Sequence, residues 1–179
     1  VDEDASSQSV SITGVGPGGG ADESGQSVTL TATSSDPSIV PDPSISGSGT
    51  SRTLSYTPVA NANGSVTVTV TAVDDGGTGN GGDDTFSRTF TIDVDAVNDE
   101  PTFDAIGDET VDEDASAQTV SITGVGPGGG ADESGQLVTL TATSSDPGVV
   151  PDPSISGSGT LRTLNFTPAA DAIGTVTVT

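Results

Sequence analysis

The run VDEDASSQSVSITGVGPGGGADESGQ opens the chain at residue 1 and returns almost unaltered at residue 111. Of the 69 positions that can be paired between the two copies, 57 are identical. A period of 110 residues is too long for a solenoid repeat, which spans about 20–45 residues. It matches one independent domain of about 100 residues, the size of an immunoglobulin-like sandwich. The chain is therefore expected to hold residues 1–100 as a first repeat and 101–110 as a linker and the start of the next. Residues 111–179 form a second repeat that lacks the equivalent of 70–110. The abrupt start at Val1 and stop at Thr179, with no signal peptide, are those of a segment of a longer tandem array.

Within each copy the apolar residues alternate with Thr and Ser, the pattern of half-buried strands. Val10 and Ile12 share one face of SVSIT (9–13), and Val28, Leu30 and Ala32 one face of SVTLTAT (27–33). Leu54 and Tyr56 lie in 53–58, Val66, Val68, Val70 and Ala72 in 64–73, and Phe86, Phe90, Ile92 and Val94 in 85–97. Between them, Pro41 and Pro43 confine 38–46 to an edge or a loop. Arg88 falls on the apolar parity of its strand, which marks either a snorkelling side chain or a bulge. Exchanges such as Ile39 to Val149 and Tyr56 to Phe166 keep apolar character, as core positions require. With no helical period anywhere, the expected fold is all-β: tandem Greek-key β-sandwiches of about seven strands each, joined end to end, the second incomplete. An incomplete sandwich leaves an open edge, which a neighbouring molecule can fill by donating a strand.

Composition narrows the function. There are 26 acidic residues, three Arg, no Lys and no His, for a net charge of −23. Nucleic acid and anionic membrane surfaces both demand Lys and Arg, so neither is an expected partner. No apolar run approaches the roughly 20 residues of a membrane helix. Without His or Cys the common nucleophile–base pairs and thiolate metal sites are unavailable, and with one Tyr and four Phe the aromatic platforms of a sugar cleft are nearly absent. No enzyme is expected.

The acids instead point to a cation. Ca²⁺ takes six to eight oxygens from carboxylates, Asn side chains and carbonyls. Three clusters offer them: VDED at the start of each copy, the glycine-rich AVDDGGTGNGGDD (72–84), and VDAVNDEP (94–101) at the repeat boundary. None has the spacing of an EF-hand loop. Two sequons, at Asn63 and Asn165, are glycan candidates, although Asn63-Gly64 also reads as a tight turn before a strand.

The segments TAVDDGG, FSRTFTIDVDAVNDEPTF and ETVDEDA resemble the tandem cadherin-like or immunoglobulin-like repeats of large bacterial surface proteins and adhesins. The resemblance implies Ca²⁺ between successive domains. Carried over by motif, its ligands would be Asp95, Asn98 and Asp99 in the linker, Glu3 and its repeat Glu113 early in each domain, Asp74 in a turn, and Asp146 as a loop ligand. The linker reads Asp-Ala-Val-Asn-Asp-Glu-Pro, which sets its Asn-Asp pair one position closer to the proline than in cadherins. The resemblance further implies a secreted, cell-surface location and a structural role as a Ca²⁺-stiffened spacer in an adhesin or fibre. Its partners would be neighbouring repeats or identical subunits. Two alternatives stand beside it: a subunit of a filament built by donor-strand complementation, and a module that grips a surface glycan or receptor through its glycine-rich loops.

Overall fold

The computed structural model describes residues 1–79 and 82–179; Asn80 and Gly81, part of the glycine-rich acidic loop, lie outside the described residues. The chain is all-β apart from short 3₁₀ turns. It divides into two units: Val1–Val97 with Gly130–Asp132, and Asn98–Gly129 with Glu133–Thr179.

Among the described residues unit 1 holds six strands: β1 (Gln8–Thr13), β2 (Val28–Ser34), β3 (Ser44–Ser46), β4 (Ser51–Tyr56), β5 (Gly64–Asp74) and β6 (Thr85–Val94). They form two antiparallel sheets, ordered β1-β4-β3 and β2-β5-β6. One core takes side chains from both sheets. Leu54 comes from the first, Ala32, Val66, Val68, Ile92 and Val94 from the second, and Val40 from the intervening loop. The alternation of Val with Thr along β5 makes this possible, because the pleat sends Val66 and Val68 inward and leaves Thr67 exposed. The count of six differs from the seven expected. Pro41 and Pro43 shorten the irregular stretch to the three residues of β3. Where a seventh strand would add to β6, Val1–Glu3 makes only a parallel bridge, Asp2 opposite Asp95.

Arg88 occupies no bulge. The β5–β6 ladder runs unbroken from Gly64 opposite Val94 to Val73 opposite Thr85, with Arg88 opposite Val70. Its guanidinium lies 5.1 Å from the centre of the Phe86 ring, at the rim of an apolar cleft of about 830 Å³ lined by Val10, Ile12, Leu30 and Val70 among others. A cation over an aromatic face reconciles the charge with the apolar parity.

Gly64, which opens β5, has φ 137°, and a Cβ there would stand 2.9 Å from Ile39 Cδ1. Ile39 can yield, but the backbone conformation excludes L side chains. Gly64→Ala is therefore expected to destabilise unit 1 by about 1–3 kcal/mol, read as a lower urea midpoint at unchanged slope.

Unit 2 has one antiparallel sheet, β7 (Gln118–Ile122), β9 (Arg162–Phe166) and β8 (Ser154–Ser156), in the order β7-β9-β8. Its registers repeat those of β1-β4-β3, with Val120 opposite Leu164 as Val10 is opposite Leu54. Buried Ile122, Val125 and Leu164 form its core, with Val138, Leu140 and Phe166 packed against them. The counterpart of β2 is not a strand. Its final residues keep the unit 1 register, with the Thr143 and Thr179 amides each donating to the other's carbonyl at 2.8 and 2.9 Å, while Val138–Ala142 form no strand. Beyond Pro101, Thr102 exchanges backbone hydrogen bonds with Gly126 at 2.9 and 3.0 Å, and the Asp104 amide donates to the Thr123 carbonyl at 2.9 Å. The chain leaving the linker thus joins unit 2 as a short extra edge.

Candidate functional site

In unit 1 the VDED segment has a separate task for each acid. The Glu3 amide donates to the Asp95 carbonyl at 2.9 Å, and the Asp95 amide donates to the Val1 carbonyl at 2.8 Å. This lays the segment alongside the end of β6. Asp4 adopts φ 61°, and its Oδ1 accepts the Asn61 amide at 3.0 Å. Between them Glu3 is driven inward and is 2% exposed. Its Oε1 accepts the Val97 amide at 2.8 Å and its Oε2 the Asn63 side-chain amide at 3.3 Å. A buried carboxylate needs such donors, and hydrogen bonds to a charged group are about twice as strong as neutral ones.

The same sequence in unit 2 behaves differently. Asp114 (φ 59°) accepts the Asp171 amide at 3.0 Å, as Asp4 does for Asn61. Glu113, however, is exposed. The position of Asn63 is taken there by Ile173, whose side chain has no amide to donate.

The linker acids lie in distinct settings. Asp95 is exposed at the end of β6. Asn98 donates its side-chain amide to the Asp99 carbonyl at 2.9 Å and accepts from the Gln136 side chain at 3.2 Å. The Asp99 amide donates to Oε1 of Glu133 at 3.2 Å. Gly128 (φ 126°) sits so close that an added Cβ would stand 2.6 Å from Asp99 Cβ and 2.9 Å from the Glu100 carbonyl. Only glycine lets the loop backbone approach the linker in this way.

Asp74 and Asp146 are not brought to these groups. Asp74 ends β5, where its Oδ1 accepts the Gly76 amide at 2.9 Å. Gly64, at the other end of the strand, faces Val94. Ten residues of extended chain separate the two ends by about 30 Å, so Asp74 and Asp95 mark opposite ends of one hairpin. Asp146 closes its own turn, its Oδ1 accepting the Gly148 amide at 2.9 Å. Its counterpart Asp36 does the same with Ser38, and the Ser38 hydroxyl and amide bound to it hold the Asp36 carboxyl below its usual range. Both are turn-forming Asp residues of the kind that bond their own backbone two positions on. Among the described residues no three acidic side chains converge in a geometry that holds a metal ion.

The residue that sequence reasoning passed over is Glu133. It begins a 3₁₀ turn, Glu133–Gly135, in the glycine-rich loop, and it is 1% exposed. Nothing in ADESGQ distinguishes it from a solvated loop acid. Only its identity with Glu23 in the other copy marked it, and Glu23 is half-buried. The side chains of both sequons are engaged: Asn63 donates to Glu3, and Asn165 to the Ser154 and Thr163 carbonyls.

No helix among the described residues is long and apolar enough to cross a membrane. No protein-family model matches the chain, and no curated protein matches it. Among solved structures it is similar to the surface layer protein SbsC, domains 1–6, at 18% identity and a TM-score of 0.34 over 83% of this chain and 17% of that one. Domains 4 and 5 of the S-layer protein SbsC match at 20% identity and a TM-score of 0.31 over 84% of this chain and 64% of that one. The chain thus spans less than a fifth of the longer relative and under two thirds of the shorter, at TM-scores below those of chains that share a fold.

Proposed function

We propose that the chain is a structural repeat module of a long extracellular or cell-surface protein, a spacer stiffened by Ca²⁺ at its linker acids. In this reading each complete repeat is a Greek-key sandwich of cadherin-like or immunoglobulin-like type, and its partners are neighbouring repeats or identical subunits. The observation that carries it is the linker itself. Its backbone is gripped by a buried carboxylate, with the Val97 amide on Glu3, in a chain of net charge −23. A segment made only to be flexible needs no such anchor. With so few protein cations available, a bound divalent ion offers a means of offsetting the local charge.

Adding Ca²⁺ to the chelator-treated chain is expected to raise its melting temperature. At ten times the dissociation constant, binding to the folded state alone contributes about 1.4 kcal/mol, or about 5–10 °C for domains of this size. Small-angle scattering should show a narrower spread of chain dimensions in the same titration. A melting temperature and scattering profile both indifferent to Ca²⁺ would sink the proposal.

A further inference from the structure

Two carboxylate oxygens of unit 2, Asp99 Oδ2 and Glu133 Oε2, are buried and have no hydrogen-bond partner among the described residues. The Glu133 carboxylate reaches the backbone of Asp99, whose amide donates to Oε1 at 3.2 Å. Glu133 is 1% exposed, so its free oxygen is a desolvated charge and not a loop acid in water. No basic side chain answers it. Arg162 is engaged by the Gly159 and Val138 carbonyls, Arg52 by the Gly49 carbonyl, and Arg88 lies on Phe86. Carboxylate oxygens withdrawn from water without a counter-charge are unfavourable, because neither solvation nor a partner offsets their charge. A bound cation removes the conflict.

We propose that Asp99 Oδ2 and Glu133 Oε2 are ligands of one Ca²⁺ ion, with Glu133 a ligand that the linker motif does not contain. The chain has no His and no Cys, so every donor is a hard oxygen, which selects Ca²⁺ or Mg²⁺ over the softer transition metals. Irregular loop geometry favours Ca²⁺, which accepts variable coordination, over Mg²⁺, which demands a near-ideal octahedron. Carbonyl oxygens and water complete the shell. With two carboxylates the site belongs with weak extracellular sites, with a dissociation constant of about 10⁻⁴–10⁻³ M. The inference rests on the Ca²⁺ reading above only for the identity of the ion. It lies wholly within unit 2 and does not require that the linker be stiffened.

The full chain supplies its own control. Glu23 stands at the equivalent position of unit 1 and is only half-buried. Calorimetric titration with Ca²⁺, and separately with Mg²⁺, is compared for the unaltered chain, Glu133→Gln and Glu23→Gln. Glu133→Gln should weaken Ca²⁺ binding at least tenfold, and Glu23→Gln should leave it unchanged. Melting gives a second readout with a change of sign: Glu133→Gln melts higher than the unaltered chain in chelator, because a buried charge is gone, and lower in saturating Ca²⁺. A variant damaged only in its packing would melt lower in both. Ca²⁺ binding that survives Glu133→Gln intact overturns this inference and leaves the Ca²⁺ spacer standing. No binding of either ion overturns both. Binding lost on Glu133→Gln, with scattering dimensions that never respond to Ca²⁺, supports the site and removes the spacer.

Discussion

Truncating Leu54 to alanine will destabilise unit 1 by about 2–5 kcal/mol, the range for leucine in a core that collapses only partly around the cavity. Leu54 sits at the centre of β4 with no exposed surface. It faces Val10 on one neighbouring strand and Ile45 on the other. Across the core it belongs to the cluster of Val66, Val68, Ile92 and Val94, so both sheets lose contacts when its side chain shrinks. For a domain of this size each kcal/mol lowers the melting temperature by about 4–8 °C, and the expected fall is at least about 10 °C in differential scanning calorimetry. The control is Leu137→Ser. Leu137 is 96% exposed and its replacement should alter stability by no more than about 0.5 kcal/mol. A Leu54→Ala variant that melts within a few degrees of the parent would mean that the two sheets of unit 1 do not share one core.

Much of unit 1 was legible because its signal is local. Alternating Val and Thr places β5 at Gly64–Asp74 against the expected 64–73, and β1 at Gln8–Thr13 against 9–13. The last strand ends at Val94 and not at 97, because Asp95 turns its backbone to Val1 and Glu3. What escaped was non-local. The heptapeptide VTLTATS occurs at 28–34 and again at 138–144. The first is β2, paired residue for residue with β5 from Val68 to Asp74. The second keeps an isolated bridge, Ser144 opposite Val178, beside the Thr143–Thr179 hydrogen bonds, and is otherwise irregular. Strand propensity is the same in both, so the difference lies in the partner. The acids follow the same rule. VDED and ADESGQ are spelled identically in both copies, yet Glu3 is buried and Glu113 exposed, while Glu133 is buried and Glu23 only partly so. In each case the buried glutamate accepts a linker backbone amide: that of Val97 for Glu3 and that of Asp99 for Glu133. Reading the chain one copy at a time ranks these four glutamates by motif, whereas the fold ranks them by which backbone amide reaches them.

That contrast gives a second large effect. In chelator, Glu3→Ala should destabilise unit 1 by about 2–3 kcal/mol, while Glu113→Ala should change stability by no more than about 0.5 kcal/mol. Removing the Glu3 carboxylate strips a charged acceptor from the Val97 amide and from the Asn63 side chain at once. A buried donor left without its partner forfeits the hydration it gave up on folding. Glu3→Gln should lose less, since its carbonyl oxygen can still accept the Val97 amide, although its NH2 group cannot accept the Asn63 side-chain amide and the charge assistance is gone. Combining Glu3→Ala with Asn63→Ala should cost less than the two changes made separately, by about 0.5 kcal/mol or more, because they share one interaction. The difference between the two copies is the sharpest element. If Glu113→Ala proved as costly as Glu3→Ala, burial against the linker backbone would not be what distinguishes them. Hydrogen exchange locates the effect: the Val97 amide, protected by Glu3 in the parent, should exchange at a rate close to that of an unstructured chain in Glu3→Ala. The amides in the middle of β5, held by both neighbouring strands, should lose protection only in proportion to the fall in global stability.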